Sequence, residues 1–332
     1  MHQYREIIRG NGMKSITKAG VAVGSVLLLA ACSSGGSGGS SSASGSSDAF
    51  SALPAPTRTP TFTPTPTPTP TPYGPVLAGY VDPVGAALGR INPAADLPGF
   101  SASLQEAATA ANSASSGLGL SDTPTAVGTT KRQLVTALSQ LATDLTKLRS
   151  DIKSKTFCTT GSAFAQVGLS ESLKSIPAAL AEMTAAGYTT NFTVPTTPQP
   201  QTRTLDNGAF VTKGRLKGSG QLNIDNTAGT SDSVVSLSKS GKAVHSLYVG
   251  KGKKASIEGI EDGTYDVFFS DGVDWDPTLK MFTQSCSYTK FDDTLAFETN
   301  RKTYSIWSIT LTAKVGGNAK TSDVDEENFP QV

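Results

Sequence analysis

The chain has little of what catalysts and nucleic-acid binders rely on. Its 332 residues include two histidines, three cysteines and two tryptophans, and 28 basic residues nearly balance 27 acidic ones. With a formal net charge of +1 there is no basic excess for a phosphate backbone, which argues against a nucleic-acid partner. No H-E-x-x-H, C-x-x-C or Walker loop occurs. Long hydrophobic runs are also missing. The strongest, Val21 to Ala31, is uncharged but short. A membrane span needs about 20 apolar residues, whereas the central region of a signal peptide needs about 7–15.

What is present around that run is more telling. Lys14 and Lys18 precede it, and small residues, Ala30 and Ala31, close it ahead of Cys32. A positive flank, an apolar centre and a small-residue end are the parts of an export signal, with Met13 as an alternative start. The block Leu29-Ala30-Ala31-Cys32 resembles the lipobox of bacterial lipoproteins. That resemblance implies that Cys32 becomes the mature N-terminus and carries diacylglycerol and palmitate-type chains. The partner would then be the lipid bilayer, and the location the extracytoplasmic face of the cell membrane. The competing readings are an ordinary secretory signal with a chance cysteine and an uncleaved anchor.

Residues 33 to 48 are nearly all Ser, Gly and Ala, too polar to offset the entropy of ordering, so a flexible coil is expected. The alternating Thr/Pro stretch of residues 53 to 75 favours polyproline II, about 3.1 Å per residue, hence a semi-rigid rod of about 60–70 Å. Its hydroxyls also offer sites for O-glycosylation. The expected organisation is a leader over 1–31, a tether over 32–75 and a helical bundle over 76–190. A Pro/Thr linker over 191–208, a β-sandwich over 209–316 and a tail over 317–332 follow. The expected fold class is therefore α+β multidomain, a small antiparallel bundle followed by an antiparallel β-sandwich.

In the helical part, Leu134, Leu138, Leu141, Leu145, Leu148 and Ile152 recur at spacings of four and three, one apolar stripe on one helix face. Thr129 or Thr130 is a plausible N-cap. A second helix is expected over residues 162–186, with Leu169, Leu173, Ile176, Leu180 and Met183 buried. Pro177 should kink or break it, and Gly187 should end it. Further helices are expected over 101–115 and 83–90.

Beyond the linker, seven short runs read as strands: 220–225, 232–239, 243–250, 254–260, 263–270, 286–291 and 303–313. Turn-rich segments separate them, among them the run from Ser270 to Pro277. Around Ile257, Ile260, Gly263 and Tyr265 the sequence resembles the prealbumin-like sandwiches, the carboxypeptidase-regulatory-like and collagen-binding-stalk families. The resemblance covers about fifteen residues and implies a non-catalytic module for display, stiffening or binding. The overall layout is similar to lipoproteins of Gram-positive-type bacteria.

Few residues invite a chemical role. Cys158 and Cys286 remain after export, where an oxidising compartment permits a disulfide between them; two separate buried thiols are the alternative. Asp271, Asp274 and Asp276 lie close in sequence and are the candidate ligands for a hard cation, although EF-hand spacing is missing. Trp275, in the same stretch, is the candidate surface contact for a partner. His245 shares strand parity with Leu247 and Val249 and is expected in the core. No cofactor is implied. The expected function is an anchored display, binding or structural module that engages cell-wall polymer or another envelope protein. The alternative is an envelope hydrolase or metal-dependent enzyme built on an unfamiliar carboxylate pair.

Overall fold

The computed structural model describes residues 3–9, 72–312 and 320–331. Val21–Ala31, Cys32 and the tether as far as residue 71 lie outside the described residues. A short strand, β1 (Gln3–Arg9), precedes five helices: α1 (Tyr73–Gly89), α2 (Leu97–Leu120), α3 (Gly128–Lys153), α4 (Thr160–Val167) and α5 (Glu171–Ala185). Strands follow: β2 (Phe210–Lys213), β3 (Gly220–Asp225), β4 (Asp232–Lys239), β5 (Lys242–Val249) and β6 (Lys254–Ile260). The chain continues with β7 (Gly263–Asp276), β8 (Met281–Phe291), β9 (Leu295–Phe297), β10 (Thr303–Thr310) and β11 (Thr321–Asp323). A small helical bundle is thus followed by a mostly antiparallel β-sandwich.

The leucine stripe of α3 forms the axis of the bundle. Leu134, Leu138, Leu141, Leu145 and Leu148 are buried, and α3 packs against α2, α4 and α5. Facing it, α2 presents Phe100, Leu104, Ala107, Ala111 and Leu118; the alanines let neighbouring helices approach closely. At Gly117 the Tyr80 ring of α1 fills the space a Cβ would take. Asp96 caps α2 by accepting from the Gly99 amide at 2.8 Å.

Three helical expectations need correction. First, α3 starts at Gly128 on a 3-10 turn, ahead of Thr129 and Thr130. Second, α1 starts at Tyr73 and takes in the last residues of the expected tether, and its Pro83 lies on an exposed face. Third, the 162–186 helix breaks at Gly168–Ser170 and runs on through Pro177. Pro177 is exposed, so its ring lies towards solvent. The break has its own chemistry: Ser170 caps α5 at the Leu173 amide, and the Ser170 and Ser172 hydroxyls both donate to Asp144 on α3, at 2.8 and 2.7 Å. Leu169 consequently sits in the connection, 44% exposed, outside the buried stripe.

The sandwich consists of a four-stranded sheet, β1-β10-β3-β6, and a larger one, β11-β8-β7-β4-β5-β2, with β9 on β7. All pairs are antiparallel except β3 with β10. Between the sheets lies one core, in which Ile224, Ile257 and Ile309 meet Val235, Leu247 and Phe269. The larger sheet has a second core on its outer face, holding Val234, Tyr248, Trp275, Phe282 and Tyr288. Strand β4 is therefore buried on both sides, which is why Val234 and Val235 can stand side by side without alternation.

Candidate functional site

The outer core of the larger sheet is where the bundle meets the sandwich. After α3 the chain turns at Lys155, in the left-handed region at φ 59°, and residues 155–158 add to the edge of β8. Cys158 N–H donates to Thr283 O at 2.8 Å, Ser285 N–H to Thr156 O at 3.0 Å and Cys286 N–H to Lys155 O at 3.1 Å. Beside this pairing Cys158 and Cys286 form a disulfide that closes a separation of 128 residues. Further along β8, β11 pairs with the same strand, and Phe329 stacks on Tyr288 and Phe268 with ring centroids at 5.3 and 5.8 Å. The C-terminal segment is thus a cover for the outer core.

A second fastening comes from the segment expected to be a linker. Asn191 bonds Asp82 of α1 through its backbone N–H and side-chain amide, at 2.7 and 3.1 Å. Arg203 is clamped on β7: its backbone N–H and Nε reach Asp274 Oδ1 at 2.7 and 2.9 Å, Nη2 reaches Asp274 Oδ2 at 2.7 Å, and Nη1 reaches Asp276 Oδ2 at 2.7 Å. Trp275 N–H returns a bond to Arg203 O at 2.9 Å. The Pro/Thr segment is therefore a strap tied to both halves.

This strap decides what the acidic stretch does. The run from Ser270 to Pro277 is largely strand, not a turn: β7 continues to Asp276 past a bulge between Asp271 and Val273, with Asp274 at φ 58°. Asp274 and Asp276 converge on the Arg203 guanidinium, so a cation already occupies the spot expected for a metal ion. Among the described residues no His, Cys, Asp or Glu group is arranged to hold a metal. Burial pushes the Asp274 carboxyl up, but the hydrogen bonds from Arg203 and Thr283 outweigh it and hold the group down at about 2. Asp271 points elsewhere, accepting from Ser233 and, at 3.5 Å, from Ser287; burial prevails there and raises its carboxyl to about 6.

Trp275, expected at the surface, is 2% exposed and packs edge-on against Phe282 and Tyr248. The bulge and the left-handed Asp274 turn it inward. His245 is buried on β5; its Nδ1 accepts from Gly214 N–H at 3.3 Å, and burial lowers its pKa, favouring the neutral ring.

The surface feature the sequence does not announce is a cleft on the seam, of about 640 Å³. Leu97 and Ile152 line it from the bundle, Phe157 and the disulfide form its floor, and Tyr288 closes the sandwich side. Arg149, Lys153 and Lys155 bring positive charge to it and Glu326 negative charge. Arg149 is held in place by Ser101 O and the Gln105 side chain, and Lys155 Nζ lies 6.0 Å from the Tyr288 ring centre. A wider hollow of about 920 Å³ shares Lys155, Tyr288 and Glu326 and runs on under the C-terminal segment. Arg149, Lys153, Lys155 and Lys280 face Asp325, Glu326 and Glu327 along the two hollows, so such a surface can hold an extended partner with apolar groups and charges of both signs. No family model, curated protein or solved structure matches the chain.

Proposed function

We propose that this protein is a lipid-anchored surface protein of the cell envelope, a non-catalytic module that displays the seam cleft to wall polymer or to another envelope protein. The observation that carries the reading is the block Leu29-Ala30-Ala31-Cys32 closing a short apolar run, with a Ser/Gly and Thr/Pro tether behind it. Two acyl chains on one sulfur, at about 0.8 kcal/mol for each buried methylene, hold a protein at a bilayer durably.

The folded part supports the display role. Bundle and sandwich are joined by a disulfide, by backbone pairing along β8 and by the Arg203 strap, so a partner spanning the seam meets a preorganised surface and loses less entropy on binding. Of the three carboxylates that invited a metal-dependent reading, Asp274 and Asp276 are engaged with Arg203 and Asp271 with Ser233 and Ser287. The test is fractionation of cells that make the full chain. Cys32→Ser should move the protein from the membrane to the soluble fraction, and mass spectrometry of the wild type should find acyl chains on Cys32. An unmodified thiol there would end the reading. The cleft is tested separately, by comparing envelope ligands retained by the wild type and by Lys153→Glu/Lys155→Glu.

A further inference from the structure

The four-stranded sheet ends on β1, and without that strand it would end on β10. The two strands pair antiparallel without a break in register, from Gln3 opposite Ile309 to Arg9 opposite Thr303. The edge thus accepts a complete antiparallel strand. On the lipoprotein reading, on which this inference rests, residues 3–9 leave with the leader, and a start at Met13 removes them equally. Either way the mature chain presents the backbone N–H and C=O groups of β10 unpaired on that side.

The other strands at sheet ends are defended. On β6, Lys254 and Glu258 carry charge, and Gly259 adopts φ 80°. The pairing of β2 is irregular between Phe210 and Thr212, and the strand ends in Lys213. Only three residues long, β11 is a poor template. Charged residues, bulges and brevity are the usual protections of an edge. Strand β10, Thr-Tyr-Ser-Ile-Trp-Ser-Ile-Thr, has eight residues, no proline, no charge and an unbroken register on both sides.

We propose that this edge is an interaction surface at which two copies of the mature chain join, β10 against β10, antiparallel. A two-fold axis perpendicular to the sheet makes the contact isologous, so one interface covers both edges and leaves neither open. Near the middle of the strand, Ile306 or Trp307 then lies opposite its own counterpart. The uncharged strand meets its copy without like-charge repulsion. Tethering in one membrane raises the effective concentration of each copy for the other.

The test uses the full chain, processed in cells and extracted in detergent, with its N-terminus read by mass spectrometry. Ile306→Cys treated with a short bis-maleimide should give a covalent dimer as the main product, whereas Leu279→Cys, at the exposed β7–β8 turn of the other sheet, should not. Ile306→Lys, which places like charges opposite each other or one pair apart at the centre of the contact, should shift the particle from dimer to monomer in light scattering while the circular dichroism spectrum stays that of the wild type. A chain that begins at Cys32 yet stays monomeric, cross-links equally at both cysteines, or joins β10 only to a different protein overturns the inference while the anchor stands. A purified chain that retains residues 3–9 overturns both.

Discussion

The two halves are held together in different ways. The bundle has one core, drawn from Tyr73 to Phe192 with no contribution from the sandwich. The sandwich has two, and its outer one needs Cys158 from the loop after α3, Leu205 from the strap and Phe329 from the C-terminal segment. A helical core can be completed by neighbours in sequence. A sheet buried on both faces must recruit from far away, and such recruits need staples. The bundle should therefore stand without the sandwich better than the sandwich stands without its staples.

That contrast can be broken experimentally because both tryptophans, Trp275 and Trp307, lie in the sandwich. Fluorescence then follows the sandwich and ellipticity at helical wavelengths follows the bundle. The largest effect is expected for Cys158→Ser/Cys286→Ser. Opening a loop of 128 residues removes about 5 kcal/mol in the chain-entropy account. In urea the fluorescence transition should move well below the ellipticity transition. Coincident transitions would show that one cooperative unit survives without the bond.

Next comes Arg203→Ala, which leaves Asp274, 3% exposed, without its partner. Stranding a buried charge costs about 3–5 kcal/mol, and fluorescence should record it. In the disulfide-free background, Leu141→Ala should do the reverse. Its cavity should cost about 3 kcal/mol, seen in ellipticity with the fluorescence transition in place.

The smallest effects are in pH. The Asp271 carboxyl titrates at about 6 in the folded chain against an ordinary 3.8, so the folded state binds that proton more tightly. Its contribution to stability is present below the ordinary value and is lost as pH rises from about 4 to about 6. Asp271→Asn should flatten the melting temperature across that window. Asp274, held at about 2, acts in the opposite sense: its contribution is full above the ordinary value and is lost as pH falls towards 2.

Seven of the strands were legible because alternation and turn residues bracket them, and the α3 stripe because leucines at four and three admit one period. What escaped has physical causes. At three or four residues, β2, β9 and β11 are too short to show a period, and long-range pairing alone defines them. Asp and Gly after Ser270 signal a turn, yet they mark a bulge inside a long strand. The prolines of α1 and α5 disrupt little because they lie on exposed faces. The seam cleft could not be read at all, since its walls come from Leu97 to Glu326. Arg203 left one weak signal, a lone arginine in a Pro/Thr segment ahead of an acidic run.

The disulfide also sets a mechanical path. A pull applied ahead of α1 follows the chain to Cys158 and crosses the sulfur bridge to Cys286. Residues 159 to 285, including the strap and most of the larger sheet, are bypassed. On the proposed anchoring at Cys32, any partner gripped beyond Cys286 would be connected to the membrane through a covalent line, and tension could rise without unravelling the segment in between.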